Sequence, residues 1–436
     1  MSKKVIVASI ILALILAAGF GIYYLLGYSQ KTTIQEIEIK ESKEPLAKLV
    51  YVGTNETLSE ALYHLDLQDG KLDEPHIVHR ILEYSPDGMI YKQSLLFISL
   101  NGKIKREEIF IKNFQGNTSI TLSKNGRYAL VHDYIQEEDA GIEKNKYYDI
   151  EGKLLWDAGG GDIMSPDGEY LIGGIPGFEH LIVSQKRTYT LYNSRGKIIK
   201  QINIELGKET YGETVVAFSQ NSKYCLIIYA IGGVTSEENR LILFDDSGKV
   251  LFDKHIKGFE INNYNMAVLN DGKVILDAMI EKPKRIKITK ILSNNGEDIY
   301  VEKGTRSISV SPNNKYILIE KKHSVSVMSL PDIREIYNIS IIGLTDKGGQ
   351  LGVLEISNNG NIYYSKDKEN ILGSDKYYIQ EYFVHYGSNK RKFFERREKE
   401  YSGMNIHNNY LFISLDFPKP GEQSYKGKEI FIFKLE

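Results

Sequence analysis

Apolar and polar residues form short runs along most of the chain, and turn-forming residues separate these runs at regular intervals. Runs such as YALVHDY, YCLIIYA and YILIE are rich in Tyr, Ile, Leu and Val, which favour strands. Helical periodicity of useful length is absent after residue 26. The pattern therefore predicts an all-β chain built from many short antiparallel strands.

One turn recurs with similar letters, as YSPDGMI, LSKNGRYAL, MSPDGEYLI, FSQNSKYCL and VSPNNKYIL. With the Ser of SPDG as the reference, the anchor positions are Ser85, Ser123, Ser165, Ser219, Leu269, Ser311, Ser357 and Asn405. By subtraction, their spacings run from 38 residues (Ser85 to Ser123) to 54 residues (Ser165 to Ser219). Internal similarity at about 40–50 residues is typical of propeller blades.

The columns of this repeat have a structural explanation. Asp or Asn stands two residues after most anchors, where its side chain folds back onto the turn backbone. Gly, Ser or Asn stands three residues after, which predicts a positive φ. Five residues after stand β-forming residues, which are predicted to open or lie within a strand: Ile90, Tyr128, Tyr170, Tyr224, Val274, Tyr316, Ile362 and Tyr410.

A second hairpin follows in most units, with Gly-Lys between two strand-like runs, as in DIEGKLL, NSRGKII and DDSGKVL. Four antiparallel strands per unit, repeated in a ring, predict a β-propeller of about eight blades, with seven as the alternative. Three strand-like runs precede the first anchor and about three follow the last. We expect terminal strands to share one closing blade, and the 38-residue unit after Ser85 is the first candidate for an irregular one.

MSPDGEYLI and its copies resemble the SPDG repeats of TolB-like and WD40-like propellers. YYDIEGKLLW is similar to one repeat of the pyrroloquinoline-quinone-dehydrogenase-like propellers, although Trp156 is the only Trp of the chain. The resemblance covers most of the chain from about residue 46. It implies a propeller fold and assigns no functional residue.

The N-terminal residues carry the clearest local signal. Residues 5–26 are uncharged and mostly apolar, and 22 residues by subtraction form about 33 Å of helix, enough to span a bilayer. Lys3 and Lys4 precede this segment, and the first cation after it is Lys31. The positive-inside rule then predicts a cytoplasmic tip at 1–4, a transmembrane signal anchor at 5–26, a spacer at 27–45 and an extracytoplasmic propeller domain at 46–436. The alternative is a cleaved signal peptide and a secreted domain.

Composition narrows the choices further. The 436 residues are 42% hydrophobic and 26% charged, as in globular proteins, and the formal net charge of −2 gives no general attraction to nucleic acid. The single cysteine, Cys225, excludes an intramolecular disulfide. It lies in an apolar run, which indicates a small buried side chain rather than a nucleophile.

Catalytic motifs are absent from the sequence, which contains no nucleophile elbow, zinc-protease motif, phosphate loop or calcium-binding loop. His76 and His79 in HIVH would face opposite sides of a strand, so they do not predict a metal site. DAGGGD, at 157–162, is interpreted as an inter-blade loop, with backbone contact to a ligand as the alternative. The aspartates Asp87, Asp167 and Asp271 are interpreted as turn residues.

Two basic stretches and three sequons remain. EKPKRIKITK, at 281–290, is interpreted as an ordinary solvated strand. NKRKFFERREKE, at 389–400, is interpreted as a solvated strand pair or as a hairpin tip that contacts a partner or the envelope. Sequons begin at Asn55, Asn117 and Asn338 and matter only in a host that glycosylates its surface.

These observations favour a membrane-tethered, extracytoplasmic and non-catalytic binding or scaffold module. Its expected partner is another protein or a cell-envelope polymer, the propeller is expected to be monomeric, and no catalytic, cofactor-binding or metal-binding residue is predicted. One alternative is an enzyme of the hydrolase, lyase or quinoprotein type with its site at the central mouth of the propeller. Another is an accessory or sensor subunit that uses the anchor helix, in which Ala13, Ala17 and Gly21 recur every four residues.

Overall fold

The computed structural model describes residues 47–435 except for short stretches at 53–56, 59–61, 66–75, 85–89, 100–103, 113–116, 138–139, 150–151, 160–162, 175–185, 206–211, 232–237, 259, 281–284, 342–349, 373–374, 387–388, 399–401, 408–409 and 419–424. The predicted anchor at 5–26 and the spacer at 27–45 lie outside the described residues. Within the described ranges, no helix is long and apolar enough to cross a membrane.

The described strands form eight antiparallel sheets, numbered here in chain order. Sheet 1 contains β2 (Thr57–Leu58), β3 (Leu62–Leu65), β4 (His76–Tyr84), β5 (Ile90–Ser99) and β6 (Ile104–Lys112). Sheet 2 contains β7 (Asn117–Leu122), β8 (Tyr128–Glu137), β9 (Ala140–Asp149) and β10 (Leu154–Gly159). Sheet 3 contains β11 (Ile163–Met164), β12 (Tyr170–Gly173), β13 (Lys186–Asn193) and β14 (Ile198–Glu205). Sheet 4 contains β15 (Gly212–Phe218), β16 (Tyr224–Ile231), β17 (Glu238–Asp245) and β18 (Val250–Lys257).

The remaining sheets repeat this pattern. Sheet 5 contains β19 (Glu260–Val268), β20 (Val274–Ile280), β21 (Ile286–Leu292) and β22 (Asp298–Lys303). Sheet 6 contains β23 (Thr305–Val310), β24 (Tyr316–Lys321), β25 (Ser324–Ser329) and β26 (Arg334–Ser340). Sheet 7 contains β27 (Gln350–Ile356), β28 (Ile362–Leu372), β29 (Asp375–Tyr386) and β30 (Asn389–Glu398). Sheet 8 contains β31 (Ser402–His407), β32 (Tyr410–Pro418), β33 (Tyr425–Lys434) and the N-terminal strand β1 (Ala47–Val52).

Consecutive sheets pack face to face. From sheet 2 to sheet 8, one apolar cluster fills each junction between neighbours. The first strands of sheets 4 to 8 contact one another in succession, so they lie on the inner side of the stack. Because sheets 2 to 8 pack on one another in chain order, the architecture fits a WD40-like β-propeller. The prediction of an all-β chain with repeated four-stranded antiparallel sheets is confirmed.

The chain termini share one sheet. Strand β1 pairs with β33, with Ala47 opposite Ile432, so the N-terminal strand completes sheet 8 and satisfies the free edge of β33. This confirms the expected sharing of a closing sheet. The other strand-like runs before the first anchor belong to sheet 1, which has five strands because β2 and β3 both pair with β4.

Both faces of the second strands are buried, as in β16. Leu226 and Ile228 belong to the apolar cluster shared with sheet 5, whereas Cys225 and Ile227 belong to the cluster shared with sheet 3. Side chains alternate across a strand, so a strand with a neighbouring sheet on each side needs apolar residues at nearly every position. This explains why such strands appear in the sequence as continuous apolar runs.

The recurring turn joins the first strand of a sheet to the second, and is called the inner turn below. In sheet 3 it occupies 165–169, where the Gly168 amide donates to the Ser165 carbonyl at 2.9 Å. The buried Ser165 hydroxyl donates to Asp167 Oδ1 at 2.8 Å and accepts from the Tyr170 amide at 3.0 Å. A positive φ is found three residues after each described turn anchor, at Gly126, Gly168, Ser222, Gly272, Asn314 and Gly360, as predicted.

Neighbouring inner turns are bonded to each other. The Asn125 side-chain amide donates to the Asp167 carbonyl at 2.8 Å, and the Asp167 amide donates to the Ser222 hydroxyl at 3.0 Å. The same linkage recurs from Asn221 to Asn270 and from Asn313 to Asn358. The Asp/Asn column therefore supports its own turn, and at several sheets it also connects that turn to the next sheet.

Two rows of glycines receive side chains from the preceding sheet. The inner row lies in the inner turns. A Cβ on Gly168, Gly272 or Gly360 would crowd the ring of Tyr128, Tyr224 or Tyr316, respectively, which belongs to the preceding sheet. The outer row lies in the turn between the third and fourth strands, which is called the outer turn below. Each of these glycines contacts a side chain on the fourth strand of the preceding sheet: Gly196 contacts Trp156, Gly248 contacts Lys200 and Gly296 contacts Phe252. Trp156 is thus one member of a row whose other described members are not Trp.

Two anchors depart from the predicted alignment. In sheet 1, whose strand order is β2-β4-β5-β6, Ser85 falls between the second and third strands, whereas the other anchors are expected between the first and second. The short unit after Ser85 holds too few strands for a regular sheet. Asn405 lies inside β31, opposite Phe412, and the connection to β32 is only 408–409. The predicted positions of the strand starts are nevertheless confirmed. Each of the eight residues that stand five places after an anchor is the first residue of a strand.

We expect Gly168→Ala to lower the free energy of unfolding of the full chain by about 3 kcal/mol, measured by denaturant titration. A Cβ at this position would overlap the Tyr128 ring and crowd Ser123, in addition to the cost of a left-handed backbone. Gly152→Ala is the matched control, since its φ of 81° is similar but no atom lies within 4 Å of the added Cβ. It should cost about 1 kcal/mol, and equal losses in both variants would contradict the packing argument.

Candidate functional site

The two ends of the propeller differ in regularity. Because adjacent strands are antiparallel, inner and outer turns lie at one end, called the turn end, and the connections between second and third strands and between sheets lie at the other, called the loop end. From sheet 2 to sheet 7, every inner turn spans five residues by subtraction, as in 165–169. Loop-end connections range from Gly304 alone to 174–185. The loop end is therefore where the units differ.

The repeated aspartates take part in turn structure at the turn end. Asp167 Oδ1 accepts from the Ser165 hydroxyl at 2.8 Å and from the Glu169 amide at 2.9 Å. Asp271 Oδ1 accepts from the Lys273 amide at 3.1 Å, and its other oxygen pairs with the ammonium of Lys273. The interpretation as turn residues is confirmed for these two, whereas Asp87 lies outside the described residues.

The other motifs take the positions that a structural role predicts. Residues 157–159 of DAGGGD form the end of β10, and 160–162, which lie outside the described residues, separate β10 from β11, so the second half of the motif falls between sheets 2 and 3. Cys225 is 2% exposed, and burial raises the pKa of its thiol well above its ordinary value. His76 and His79 lie in β4, with side chains outside the described part. Among the described residues, no group of three or more His, Cys, Asp or Glu is placed to hold a metal ion.

The described part of the basic stretch at 281–290 is not a solvated strand, so that prediction was wrong for these residues. Its described part enters β21, the third strand of sheet 5, where Ile288 and Thr289 are fully buried and Lys290 is 7% exposed. Neighbouring sheets cover both faces of this strand. Its lysines are therefore paired: Lys290 Nζ lies 2.8 Å from Asp298, and the Lys290 and Lys254 ammonium groups lower the pKa of Asp298 against the opposing effect of partial burial.

In the second basic stretch, the described side chains at 390–394 also do not belong to a solvated strand pair or a hairpin tip. Residues 389–398 form β30, and Phe393 is 4% exposed in the apolar cluster between sheets 7 and 8. The Phe394 ring packs on Phe431 with centroids 4.7 Å apart. Lys390 is 2% exposed, with its ammonium 4.5 Å from the centre of the Phe383 ring. The two phenylalanines are thus core residues.

A buried ion pair lies within sheet 5 at the loop end, where this sheet meets sheet 6. The Asp277 carboxylate is completely buried on β20, and Lys287 Nζ lies 2.8 Å from its Oδ2. The same ammonium donates to the Arg306 carbonyl of β23, in the next sheet. Thr289 lies directly opposite Asp277 in the register and is also fully buried. A charged contact therefore replaces apolar packing at this end of the interface.

Weaker ion pairs surround the buried one. Arg285 Nη2 lies 3.5 Å from Glu260, and Arg306 Nη1 lies 3.8 Å from Glu320. The side chains of Arg285 and Arg306 are 62% and 54% exposed, respectively. The loop-end cluster consists of Glu260, Asp277, Arg285, Lys287, Arg306 and Glu320.

The cluster combines a fixed part with an adjustable part. Its buried pair holds β20, β21 and β23 in a defined relation, because separating two desolvated charges is costly. Its two arginines lie near the starts of β21 and β23, at long distances from their carboxylates and largely in solvent, so these pairs exchange partners at little cost. Guanidinium groups of this kind bind carboxylates and phosphates. Nothing in the local sequence marked Asp277, which lies in the apolar run VILDAMI.

A second carboxylate of note lies between the inner strands of sheets 6 and 7. Glu355 of β27 accepts a hydrogen bond from the Ser309 hydroxyl of β23 at 3.2 Å. Burial raises the pKa of Glu355 to about 7, although the Ser309 hydroxyl favours the ionised form. Sequence alone gave no signal for this residue, since its burial depends on how two sheets meet.

Comparison with known proteins gives likenesses of fold. No family model matches the sequence, and no curated protein matches it. Similar solved structures include a eukaryotic initiation factor, at 10% identity over 82% of this chain and 90% of that one, with a TM-score of 0.44. The propeller domain of the Trilobed protease from Pyrococcus furiosus is similar at 10% identity over 78% and 96%, with a TM-score of 0.40. The WD40 domain of SCAP from fission yeast is similar at 8% identity over 72% and 84%, with a TM-score of 0.38.

We expect Lys287→Met to lower the free energy of unfolding by about 3 kcal/mol, because it removes the ammonium group that lies 2.8 Å from the buried Asp277 carboxylate. The matched control is Arg240→Met, which breaks the partly exposed pair of Arg240 with Asp253 at 2.7 Å and should cost about 1 kcal/mol or less. Denaturant titration of both variants measures the difference. A loss of less than about 1 kcal/mol in Lys287→Met would show that the buried pair is not needed for stability.

Glu355 should give a pH-dependent stability of defined sign. Its folded-state pKa of about 7 lies above the ordinary value of 4.5, so the folded chain holds an extra proton between these values, and stability falls as pH rises through this window. Glu355→Gln should remove this fall and stabilise the chain at pH 8 by up to roughly 3 kcal/mol.

Thermal unfolding at several pH values tests this expectation. Glu302→Gln is the control of opposite sign, because Tyr300 and Lys321 lower the pKa of Glu302 against the effect of burial, and its contribution is lost as pH falls. An unchanged pH profile in Glu355→Gln would contradict the assignment of the raised pKa to this group.

Proposed function

We propose that the protein is a membrane-tethered, extracytoplasmic β-propeller that acts as a non-catalytic binding or scaffold module. Residues 5–26 anchor it, 1–4 lie in the cytoplasm and 46–436 form the domain outside; release after signal cleavage is the alternative. We further propose that each of the eight sheets is one blade, with sheet 8 closed by β1. The number of sheets and the pairing of β1 with β33 support this count.

The observation that carries the binding function is the loop-end cluster. Regular hydrogen bonds and glycine contacts fill the turn end, whereas the loop end varies between sheets and exposes Arg285 and Arg306. Their pairs with Glu260 and Glu320 are long and both guanidinium groups are largely exposed, so a ligand carboxylate or phosphate can reach them. The partner expected from this chemistry is a protein or a cell-envelope polymer that bears such groups.

A catalytic function is the alternative that the same cluster favours. Glu260 and Arg306 lie on the first strands of sheets 5 and 6, near the central mouth, and Glu320 lies beside Arg306. Carboxylates beside arginines occur in many hydrolytic sites. Turnover of an envelope polymer by the full chain, lost in Glu320→Gln with binding retained, would favour an enzyme.

The binding proposal predicts which end of the propeller meets the partner. A photo-crosslinking residue at Lys322, in the loop-end connection between β24 and β25, should form adducts in intact membranes. The same residue at Lys315, in the inner turn of sheet 6, should not; both lysines are exposed. Arg285→Glu with Arg306→Glu should reduce the Lys322 adduct at least about tenfold, because opposite charges at an interface contribute strongly to selectivity.

Protease treatment of intact cells and of inverted vesicles supplies the topology control. Cleavage of the propeller only from the cytoplasmic side would overturn the extracytoplasmic location. Equal adduct formation at Lys322 and Lys315, or adducts that persist in the double arginine variant, would contradict the loop end as the binding surface.

A further inference from the structure

Exposed aliphatic residues follow the outer turns of three consecutive sheets. Leu154, Ile198 and Val250 are the first residues of the fourth strands of sheets 2, 3 and 4, and they are 45%, 50% and 40% exposed. A lysine directly precedes each of them, and all three lysines are exposed. The basic–aliphatic rim is defined as Lys153, Leu154, Lys197, Ile198, Lys249 and Val250.

The fold does not require apolar residues at these positions. The three aliphatic residues occupy one register position, opposite Tyr148, Tyr192 and Phe244 of their third strands. The equivalent positions of sheets 5 and 6 hold Asp298 and Glu335. Since the fold accepts a charged residue at this position, the exposed aliphatic side chains of sheets 2 to 4 indicate an interaction surface.

The chain enters the propeller at the same end. Strand β33 is the third strand of sheet 8 and runs towards the turn end, as third strands do in the other sheets. Ala47 begins β1 opposite Ile432, close to the end of β33, so the fourth strand of sheet 8 starts at the turn end. Residues 27–46 separate this point from the predicted anchor, and 20 residues span at most about 66 Å.

These placements bring the rim within reach of the membrane to which the chain is proposed to be tethered. We propose that the basic–aliphatic rim rests on a lipid surface containing anionic headgroups, so that the turn end faces the bilayer and the loop-end cluster faces away from it. Aliphatic side chains of this kind enter the boundary between headgroups and acyl chains, while neighbouring lysines contact lipid phosphates. The inference rests on the proposed tether.

The charges of the rim favour lipid over a second copy of the chain. Besides the three lysines, Arg195 and Lys200 are exposed in the same sheets. The acidic groups beside them are the exposed Asp157, the half-buried Asp246, and Asp149 and Asp245, whose carboxylates accept hydrogen bonds from the backbone amides of their own turns. Two such basic surfaces would repel each other, whereas an anionic bilayer attracts them. A protein occupant is an outcome that the experiment detects.

The test uses the full chain in vesicles of phosphatidylcholine with a minority of phosphatidylglycerol and a lipid that carries a nitroxide quencher near its headgroup. An environment-sensitive fluorophore is attached at Ile198→Cys in one preparation and at Lys322→Cys in another. The native Cys225 is buried and should not react. We expect quenching at least about threefold greater at the rim than at the loop end, and a reduction of this difference in a Lys153→Glu, Lys197→Glu, Lys249→Glu variant.

Flotation of the same vesicles separates the two proposals. If the chain floats with the vesicles but the two labels are quenched equally, the proposed tether is supported and lipid contact by the rim is refuted. Disulfide-linked dimers of Ile198→Cys chains that float would give the same conclusion. If the chain does not float with the vesicles, the proposed tether fails and the rim inference fails with it. Unchanged rim quenching in the triple lysine variant would overturn the role of anionic lipid.

Discussion

The structure depends on the contact between the inner turn of one sheet and the aromatic side chain of the preceding sheet. A left-handed residue without a Cβ, such as Gly168, lets the Tyr128 ring lie against the turn backbone. The Tyr147 hydroxyl donates to the carbonyl of the same glycine. The glycine conformation and the ring position require one another, so the glycine turns of sheets 3, 5 and 7 fix the distance and angle to the preceding sheet.

This constraint acts most strongly at one end of the molecule. At the junction of sheets 5 and 6, the packing near the inner turns is aliphatic, with Ile275 and Ile291 against Ile317. At the loop end of the same junction, Lys287 pairs with Asp277 within sheet 5 and donates to the Arg306 carbonyl of sheet 6. The turn end therefore sets the geometry of the stack. The loop end is free to vary, because short or long connections there do not disturb the spacing that the turns impose.

The sequence predicted those parts of the fold that depend on local chemistry. Tyr170 was correctly placed at the start of a strand, because the turn before it is encoded within five residues. Thr289 and Lys290 were wrongly assigned to a solvated strand, since their burial is caused by packing between sheets 4 and 6, which residues 281–290 do not encode by themselves. Asp277 and Glu355 had no local signal for the same reason: each lies in a strand whose environment is set by a neighbouring sheet.

The buried pair of Asp277 and Lys287 indicates that the loop end is shaped by a requirement other than stability. Two apolar residues of similar volume would fill the Asp277 and Lys287 positions without loss of stability, because the desolvation of two charges offsets much of their attraction. The aliphatic packing a few residues along the same strands demonstrates that this interface accepts such residues. A charged contact retained beside the exposed side chains of Arg285 and Arg306 therefore favours a role in holding these arginines where a ligand meets them. Stability alone would select the aliphatic solution.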